Sequence, residues 1–431
     1  MRDVLIIQED AFIRGWRAAT PRLFSLARAM TQHGWTPTVL AGNYYTLHNS
    51  AIREVEAAFP GTIARTPFVG DYPSLMGSSR YGRWLWRHLR CCTGRPNYRI
   101  DHRNAWPRRT VNWCSKHFSF NPPTLIWAIS TGHMDSLYLG KEMSHFFGCP
   151  LIIEFQDPCP YPGQRAYDAR EEYLFTSCLR AAARVVTVTK SYAQHLIRTY
   201  QLCRDSVQTI YMSYDDRPAV HNCSKGSDTL TCLHAGFLNG KSGRNARSVV
   251  MGLADVIKQQ PALRNIFQLK LIGSGPGGVE ARRIAQKYNI SDNVQLLPEM
   301  PHSEVLKQMN DADVLVVIKF DNSAYDMQIP GKLFEYLGRG KPILGVMRDC
   351  EAADILRKSG LGVIAQDNDV GNISRLIRTM LDHRDILHSL YAPKWAYIST
   401  FSQAAMSCTL NNCLEEVTTR HRGSKGLTLA I

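Results

Sequence analysis

"ADVLVVIKFDNSAYDMQIPGKLFEYLGRGKPILGVM" (312–347) holds one complete structural unit. Residues 312–318 are an apolar, β-branched run of the kind that forms a strand buried on both faces. A polar loop, "KFDNSAYDMQ" (319–328), follows. Pro330 and Gly331 open a helix, Gly340 and Pro342 shut it, and "PILGVM" (342–347) reads as the next buried strand. Strand, helix and strand in that order form a crossover that lays two parallel strands in one sheet.

The same grammar extends in both directions. Upstream in this half lie strands "TLTCLHAG" (229–236), "FQLKLIGSG" (267–275) and "NVQLL" (293–297), with a helix from about 245 to 259. The N-terminal half begins with "VLII" (4–7) and a helix "PRLFSLARAMTQHG" (21–34), started by Pro21 and ended by Gly34. Strands "TPTVLAG" (36–42), "TLIWAIS" (124–130), "PLIIEF" (150–155) and "RVVTVT" (184–189) continue it. The expected fold is α/β, with two doubly wound Rossmann-like domains facing a central cleft. The boundaries read as 1–212, with a basic aromatic insertion at about 72–122; a polar linker, 213–228; and a second domain, 229–390. A helical region, 391–418, is expected to cross back to the first domain, and 419–431 reads as a disordered tail.

Bulk properties fit this organisation. The chain has 431 residues, more than one core of ordinary size, and its 44% hydrophobic and 20% charged content is that of a folded protein. It lacks the run of about 18 apolar residues that a membrane-spanning helix needs. The apolar run at the N-terminus is shorter than the roughly 7–15 residues of a signal-peptide core. The twelve cysteines show neither regular spacing nor a C-x-x-C pair, so they read as reduced residues of a cytoplasmic protein. Net charge is +14, and ten Lys or Arg stand against one acid, Asp101, between Arg80 and Lys116. Such a field attracts phosphates, on nucleotides, nucleic acids or anionic lipids.

Candidate site residues cluster after the strands, where such sheets bind ligands. Lys332 sits in the first turn of its helix, where the macrodipole already places about half a positive charge. An anion bound there would relieve the repulsion, and Glu335, one turn on, can accept hydrogen bonds from the diol of a ribose. A solvated lysine and a salt-bridged glutamate on a surface helix are the other reading. "GFLNGKSGRN" (236–245) follows the first strand of this half. Gly236 and its neighbours let a diphosphate approach the backbone, and Lys241 and Arg244 would neutralise it. "LIGSGPGG" (271–278) fits G-x-G-x-x-G through Gly273, Gly275 and Gly278, but Pro276 interrupts it, so it reads mainly as a tight turn. "DAD" (311–313) lies at a helix-to-strand join, where acids cap and turn, and no metal site is expected.

In this order, these residues resemble the donor-binding domain of GT-B glycosyltransferases, specifically glycosyltransferase family 4 of the polysaccharide-forming type. "LKLIGSGP", "NVQLLPEMPHSEVLKQMNDADVLVV" and "GKLFEYLGRGKPIL" carry the likeness, which is strongest from 229 to 347. "ISTGHMDSLYLGKEMSHFFGCPLIIEFQDP" (129–158) and "ARVVTVTKSYAQHL" (183–196) extend it more loosely into the first half. The resemblance implies transfer of a sugar from a nucleotide sugar to a glycan or lipid-linked acceptor, with retention of configuration and no cofactor or metal. It makes Glu335 the ribose ligand, Lys241 and Arg244 the diphosphate cations, and Gly15 the point where the first-strand loop approaches the donor. Many members carry a second glutamate eight residues before the first. Here that position is Met327, so Tyr325 and Asp326 are the neighbours left to meet sugar hydroxyls.

Asp157 and His133 are the candidates to orient or deprotonate an acceptor hydroxyl, although "QDPCPYPG" around Asp157 is also ordinary turn chemistry. On a helical wheel, "SRYGRWLWRHLRCC" (79–92) places Arg80, Arg83, Arg87 and Arg90 on one face, with Trp84 and Trp86 at the boundaries of an apolar face. That pattern suits a helix in an anionic lipid interface, peripheral on the inner face of the cell membrane, and equally one docked on the protein's own core. Three rivals are a nucleotide-sugar epimerase, which needs no acceptor, a basic nucleic-acid-binding protein, and a glycan-binding pseudoenzyme, against which the intact Lys241, Arg244 and Glu335 argue. No recognised nucleic-acid module accompanies the charge, so nucleic acid is not an expected partner.

Overall fold

The computed structural model describes residues 2–12, 20–42, 50–66, 105–119, 121–160, 166–216, 229–240 and 243–428. They divide into two units. The first is Met1–Tyr211 together with Ser407–Ile431, and the second is Met212–Met406.

The first unit is built on a seven-stranded parallel sheet. Its strands are β1 (Asp3–Ile7), β2 (Thr36–Ala41), β3 (Thr62–Arg65), β4 (Leu125–Thr131), β5 (Leu151–Asp157), β6 (Arg184–Thr187) and β7 (Val207–Thr209). Their order in the sheet is β3-β2-β1-β4-β5-β6-β7. The central strands are apolar end to end because helices cover both faces. β4 is buried at six consecutive positions, and Trp127 within it is fully enclosed. Trp127 Nε1 donates to Glu154 Oε2 at 3.0 Å, and Arg22 Nε donates to Glu154 Oε1 at 2.9 Å. Arg22 also donates to the carbonyls of Ile210 and Tyr211, so this buried pair is hydrogen-bonded on both sides. The expected helix at 21–34 is Thr20–Gln32, closed by Gly34 at φ 75°.

The second unit repeats the plan with six parallel strands: β8 (Leu230–Ala235), β9 (Phe267–Ile272), β10 (Val294–Leu297), β11 (Val314–Ile318), β12 (Ile343–Val346) and β13 (Gly362–Ala365). Their order is β10-β9-β8-β11-β12-β13. Helices Arg247–Gln259, Gly275–Lys287, His302–Asp311, Glu351–Ser359 and Val370–Asp382 cover the sheet, and the short helix Lys332–Leu337 joins β11 to β12. In both sheets the chain reverses direction between the first and fourth strands, β1/β4 and β8/β11. That reversal opens the crevice in which open α/β sheets bind their ligands.

The C-terminal region differs from expectation. Residues 419–428 are not a disordered tail but the end of a long helix, Gln403–Thr428. Met406, Leu410, Cys413, Leu414 and Val417 recur at helical spacing and are all buried, which gives the helix one apolar face. From Ser407 onward it counts with the first unit, where Asn411 accepts a hydrogen bond from Trp35 and Glu416 pairs with Arg184. Tyr214, within the stretch expected as a linker, bridges to Ser402 in the second unit. The basic stretch 79–92 lies outside the described residues, while the helix Ala105–His117 is the part of the insertion that they include. Among the described residues no helix is long and apolar enough to cross a membrane.

Candidate active site

The crevice of the second sheet opens where β8 and β11 end. β8 finishes in His234 and Ala235, and Gly236 turns away from it at φ 117°, a conformation glycine adopts without strain. A Cβ at Gly236 would stand 2.7 Å from Lys332 Nζ, so the ammonium occupies the space that the missing side chain leaves. Lys332 and Tyr336, one turn apart on the short helix, clamp Ala235 from the same side. Lys332 Nζ donates to the Ala235 carbonyl at 2.5 Å, and the Tyr336 hydroxyl accepts from the Ala235 N–H at 3.0 Å.

This geometry changes the reading of Lys332. The helix has six residues, too few for a substantial macrodipole, and the lysine does not rest at its open end. Its ammonium folds back onto the strand. Burial and the nearby Arg244 guanidinium bring its pKa down from 10.5 to about 7, with the Glu335 carboxylate working the other way. A lysine so placed changes charge near neutral pH.

His234 is the second partner of that ammonium, with Nε2 3.3 Å from Lys332 Nζ. The ring is fully buried, and its Nδ1 lies 2.8 Å from the Val316 carbonyl. Burial first, and the Lys332 charge second, hold its pKa well below 6.5; hydrogen bonding to the Val316 and Gly236 backbone works in the opposite direction without prevailing. The imidazole is therefore neutral at pH 7. A carbonyl only accepts, so Nδ1 carries the proton and Nε2 presents its lone pair to the lysine.

Arg244 extends the cationic edge. Its Nη2 donates to the Phe237 carbonyl at 2.8 Å, and its guanidinium lies 5.6 Å from the centre of the Phe320 ring. Tyr325 stacks on the same ring at 4.1 Å and 17°. Asp326 Oδ1 lies 3.7 Å from Arg348 Nε, and the Asp326 carbonyl accepts from the buried Lys319. Glu335, one turn on from Lys332, has Oε1 accepting from His302 Nε2 at 2.9 Å; its side chain stays 28% exposed. Gly236, Lys332, Arg244, Tyr325, Asp326 and Glu335 thus all lie in the segments that follow β8 and β11 in one unit. Lys241 and Gly15 lie outside the described residues.

The two other motifs of this half have structural work. Pro276 falls in the first turn of the helix Gly275–Lys287, where proline is favoured. A Cβ at Gly275 would meet the Phe237 ring at 2.6 Å. Asp313 accepts the Thr231 N–H at 2.8 Å, holding the start of β8.

In the first unit, Asp157 ends β5 in register with Thr131 of β4. Thr131 Oγ1 donates to Asp10 Oδ2 at 3.0 Å, and Gln8 Nε2 donates to Asp10 Oδ1 at 3.1 Å. Ser130 Oγ accepts from the backbone N–H groups of Gly132 and His133 and donates to the His133 carbonyl, fixing the turn that carries His133. Asp10, Asp157 and His133 therefore share the carboxyl edge at the β1/β4 reversal and on β5 beside it. Sequence reading missed Asp10, His234 and His302. Of these, His234 left a signal: it is the lone basic residue in a mostly apolar strand.

Comparison with known proteins agrees with this architecture. Residues 248–392 match the family model described as glycosyl transferases group 1. The chain is 20% identical over 166 residues to the colanic acid biosynthesis glycosyltransferase WcaL of Salmonella typhimurium. That match spans 38% of this chain and 41% of the relative. Among solved structures, a glycosyltransferase from Rickettsia africae superposes with a TM-score of 0.68 at 12% identity, covering 96% of this chain and 98% of that one. HepE of Anabaena, solved in complex with UDP, superposes with a TM-score of 0.65 at 12% identity, covering 96% and 100%. The chain has the GT-B fold, and its residues 248–392 are similar to the glycosyl transferases group 1 family.

Proposed function

We propose that the chain is a glycosyltransferase that moves a sugar from a nucleoside diphosphate sugar to an acceptor hydroxyl. The observation that carries this reading is the convergence of Gly236, Lys332 and Arg244 at the β8/β11 reversal, with an accessible carboxylate, Glu335, on the next helical turn. Two cations beside a half-buried glycine backbone suit a diphosphate, and a carboxylate suits a ribose diol. The UDP held by the HepE relative supports the same class of ligand.

When the bond from the anomeric carbon to the diphosphate breaks, negative charge grows on the leaving oxygen. Arg244, and Lys332 once it is protonated, are the cations assigned to stabilise it, with Lys241 close to Arg244 in the sequence. On this account transfer needs no divalent metal, and activity is expected to survive EDTA. Tyr325 and Asp326 are assigned to the sugar, and Asp157 or His133, with Asp10 beside them, to the acceptor hydroxyl. We assign the chain to family 4, with retention of configuration, and place it in surface polysaccharide or glycolipid synthesis on a lipid-linked acceptor. The likeness to a colanic acid biosynthesis protein supports that setting. A cytoplasmic enzyme meeting such an acceptor works at the inner face of the membrane, where Arg83, Trp84, Trp86, Arg87 and Arg90 would lie.

The test is product analysis with labelled nucleotide sugars, with and without a lipid-linked acceptor. Nucleoside diphosphate released together with an extended acceptor supports transfer. Conversion of the sugar without any acceptor identifies an epimerase instead.

A further inference from the structure

We propose that His234 is a positioning residue of the donor site, holding the Lys332 ammonium so that it faces an anion seated beside Gly236. The inference rests on the nucleotide-sugar reading and adds to it a residue that never needs to touch the ligand. An ammonium has three N–H groups. One is taken by the Ala235 carbonyl and one by His234 Nε2. Those two acceptors restrain the group and leave the third N–H for an anion beside Gly236, where the missing Cβ lets Nζ approach the backbone.

His234 suits this role because its own state is fixed. The Val316 carbonyl holds the proton on Nδ1, and full burial excludes a second proton, so the ring accepts without ever repelling the lysine as a cation. A hydrocarbon at this position would leave the ammonium with one acceptor and freedom to swing.

The arrangement has a consequence for proton balance. The charged groups facing Lys332 are Arg244 from the loop after β8 and Glu335 from its own helix, with neutral His234 on β8. Burial first, and Arg244 second, disfavour the ammonium in the empty site. A diphosphate arriving between the two cations reverses that balance, so Lys332 takes up about half a proton from solvent on binding at about pH 7 and close to one above about pH 8. The sign follows directly: the empty site loses the proton as pH rises through about 7, so affinity falls above that pH.

The experiment is calorimetric titration of the full chain from about pH 6 to about pH 9 with UDP-glucose, GDP-mannose and dTDP-glucose. Each diphosphate is esterified at both ends and lacks the monoester ionisation near about pH 6. Wild-type affinity for the sugar that binds is expected to fall about fivefold between about pH 7 and about pH 8, with proton uptake seen as a dependence of the heat on buffer. Lys332→Met removes that limb. His234→Phe lowers affinity about tenfold at neutral pH, about 1.4 kcal/mol, and moves the limb to lower pH; His234→Gln, which keeps an acceptor, restores most of both. Circular dichroism and melting confirm that each variant is folded. Wild-type affinity and an unmoved limb in folded His234→Phe overturn the proposal. If that variant does not fold, a limb shared by wild type and Lys332→Met overturns it. A wild-type chain that binds none of the three sugars overturns the donor reading as well.

Discussion

Lys332 shows how far one residue can be read from sequence alone. Its charge at a helix start marks it as unusual, and that signal is local. The resolution of the conflict is not local: it comes from His234, 98 positions away, and from the end of β8. His302, which bonds Glu335 across 33 positions, was hidden for the same reason. Arg244 was legible as a cation in a glycine-rich loop, but the Phe320 ring it lies against follows a different strand. Replacing Arg244 with alanine is expected to lower turnover by about 10-fold to 1,000-fold and donor affinity by much less, because the leaving group's charge grows in the transition state. Steady-state kinetics beside equilibrium binding measures the split. A loss of affinity with turnover unchanged would place Arg244 in ground-state binding only.

At the scale of elements, the helix Lys332–Leu337 is too short to be stable by its own hydrogen bonds. Leu333, Phe334, Tyr336 and Leu337 are fully buried and hold it in place. It ends at Leu337, ahead of the expected stop at Gly340, and the Tyr214 ring packs where a Cβ at Gly338 would be. Tyr336→Phe keeps the packing and removes the acceptor of the Ala235 N–H. An orphaned buried donor costs about 1–3 kcal/mol, so the urea midpoint is expected to fall while the slope is unchanged. An unaltered midpoint would mean the hydroxyl is dispensable. The central strands were readable because burial on both faces leaves an unbroken apolar run. β3, β7 and β13 were not, since each ends its sheet, is three or four residues long and stays partly exposed along most of its length. Sequence periodicity has little to register in such short edge strands.

At the scale of the molecule, the two-unit plan was legible because the strand–helix alternation starts twice. The end of the C-terminal helix was not, because its last turns are polar and carry no apolar stripe. The net charge of +14 is a property of the whole chain, and its most basic part is the stretch assigned to lipid. The chain is expected to sediment with vesicles of anionic lipid and to release as salt rises, since each basic residue near such a surface contributes about 1 kcal/mol within a Debye length. Glutamate at Arg83, Arg87 and Arg90 should abolish this, and alanine at Trp84 and Trp86 should weaken it at low salt. Sedimentation that ignores all five changes would assign the stretch to the protein's own core. The most direct test of the central claim is a thermal-shift comparison of wild type and Glu335→Ala with UDP-, GDP-, dTDP- and CMP-sugars. A ligand at a hundred times its dissociation constant stabilises by about 2.7 kcal/mol, a shift of several degrees or less in a chain of this size. Losing charge-assisted bonds to the ribose removes about 1.5–3 kcal/mol each from binding. The account predicts that one diphosphate sugar raises the wild-type melting temperature and that the folded Glu335→Ala protein loses most of that rise. An equal rise in both proteins, or none in the wild type with any of the four, would contradict it.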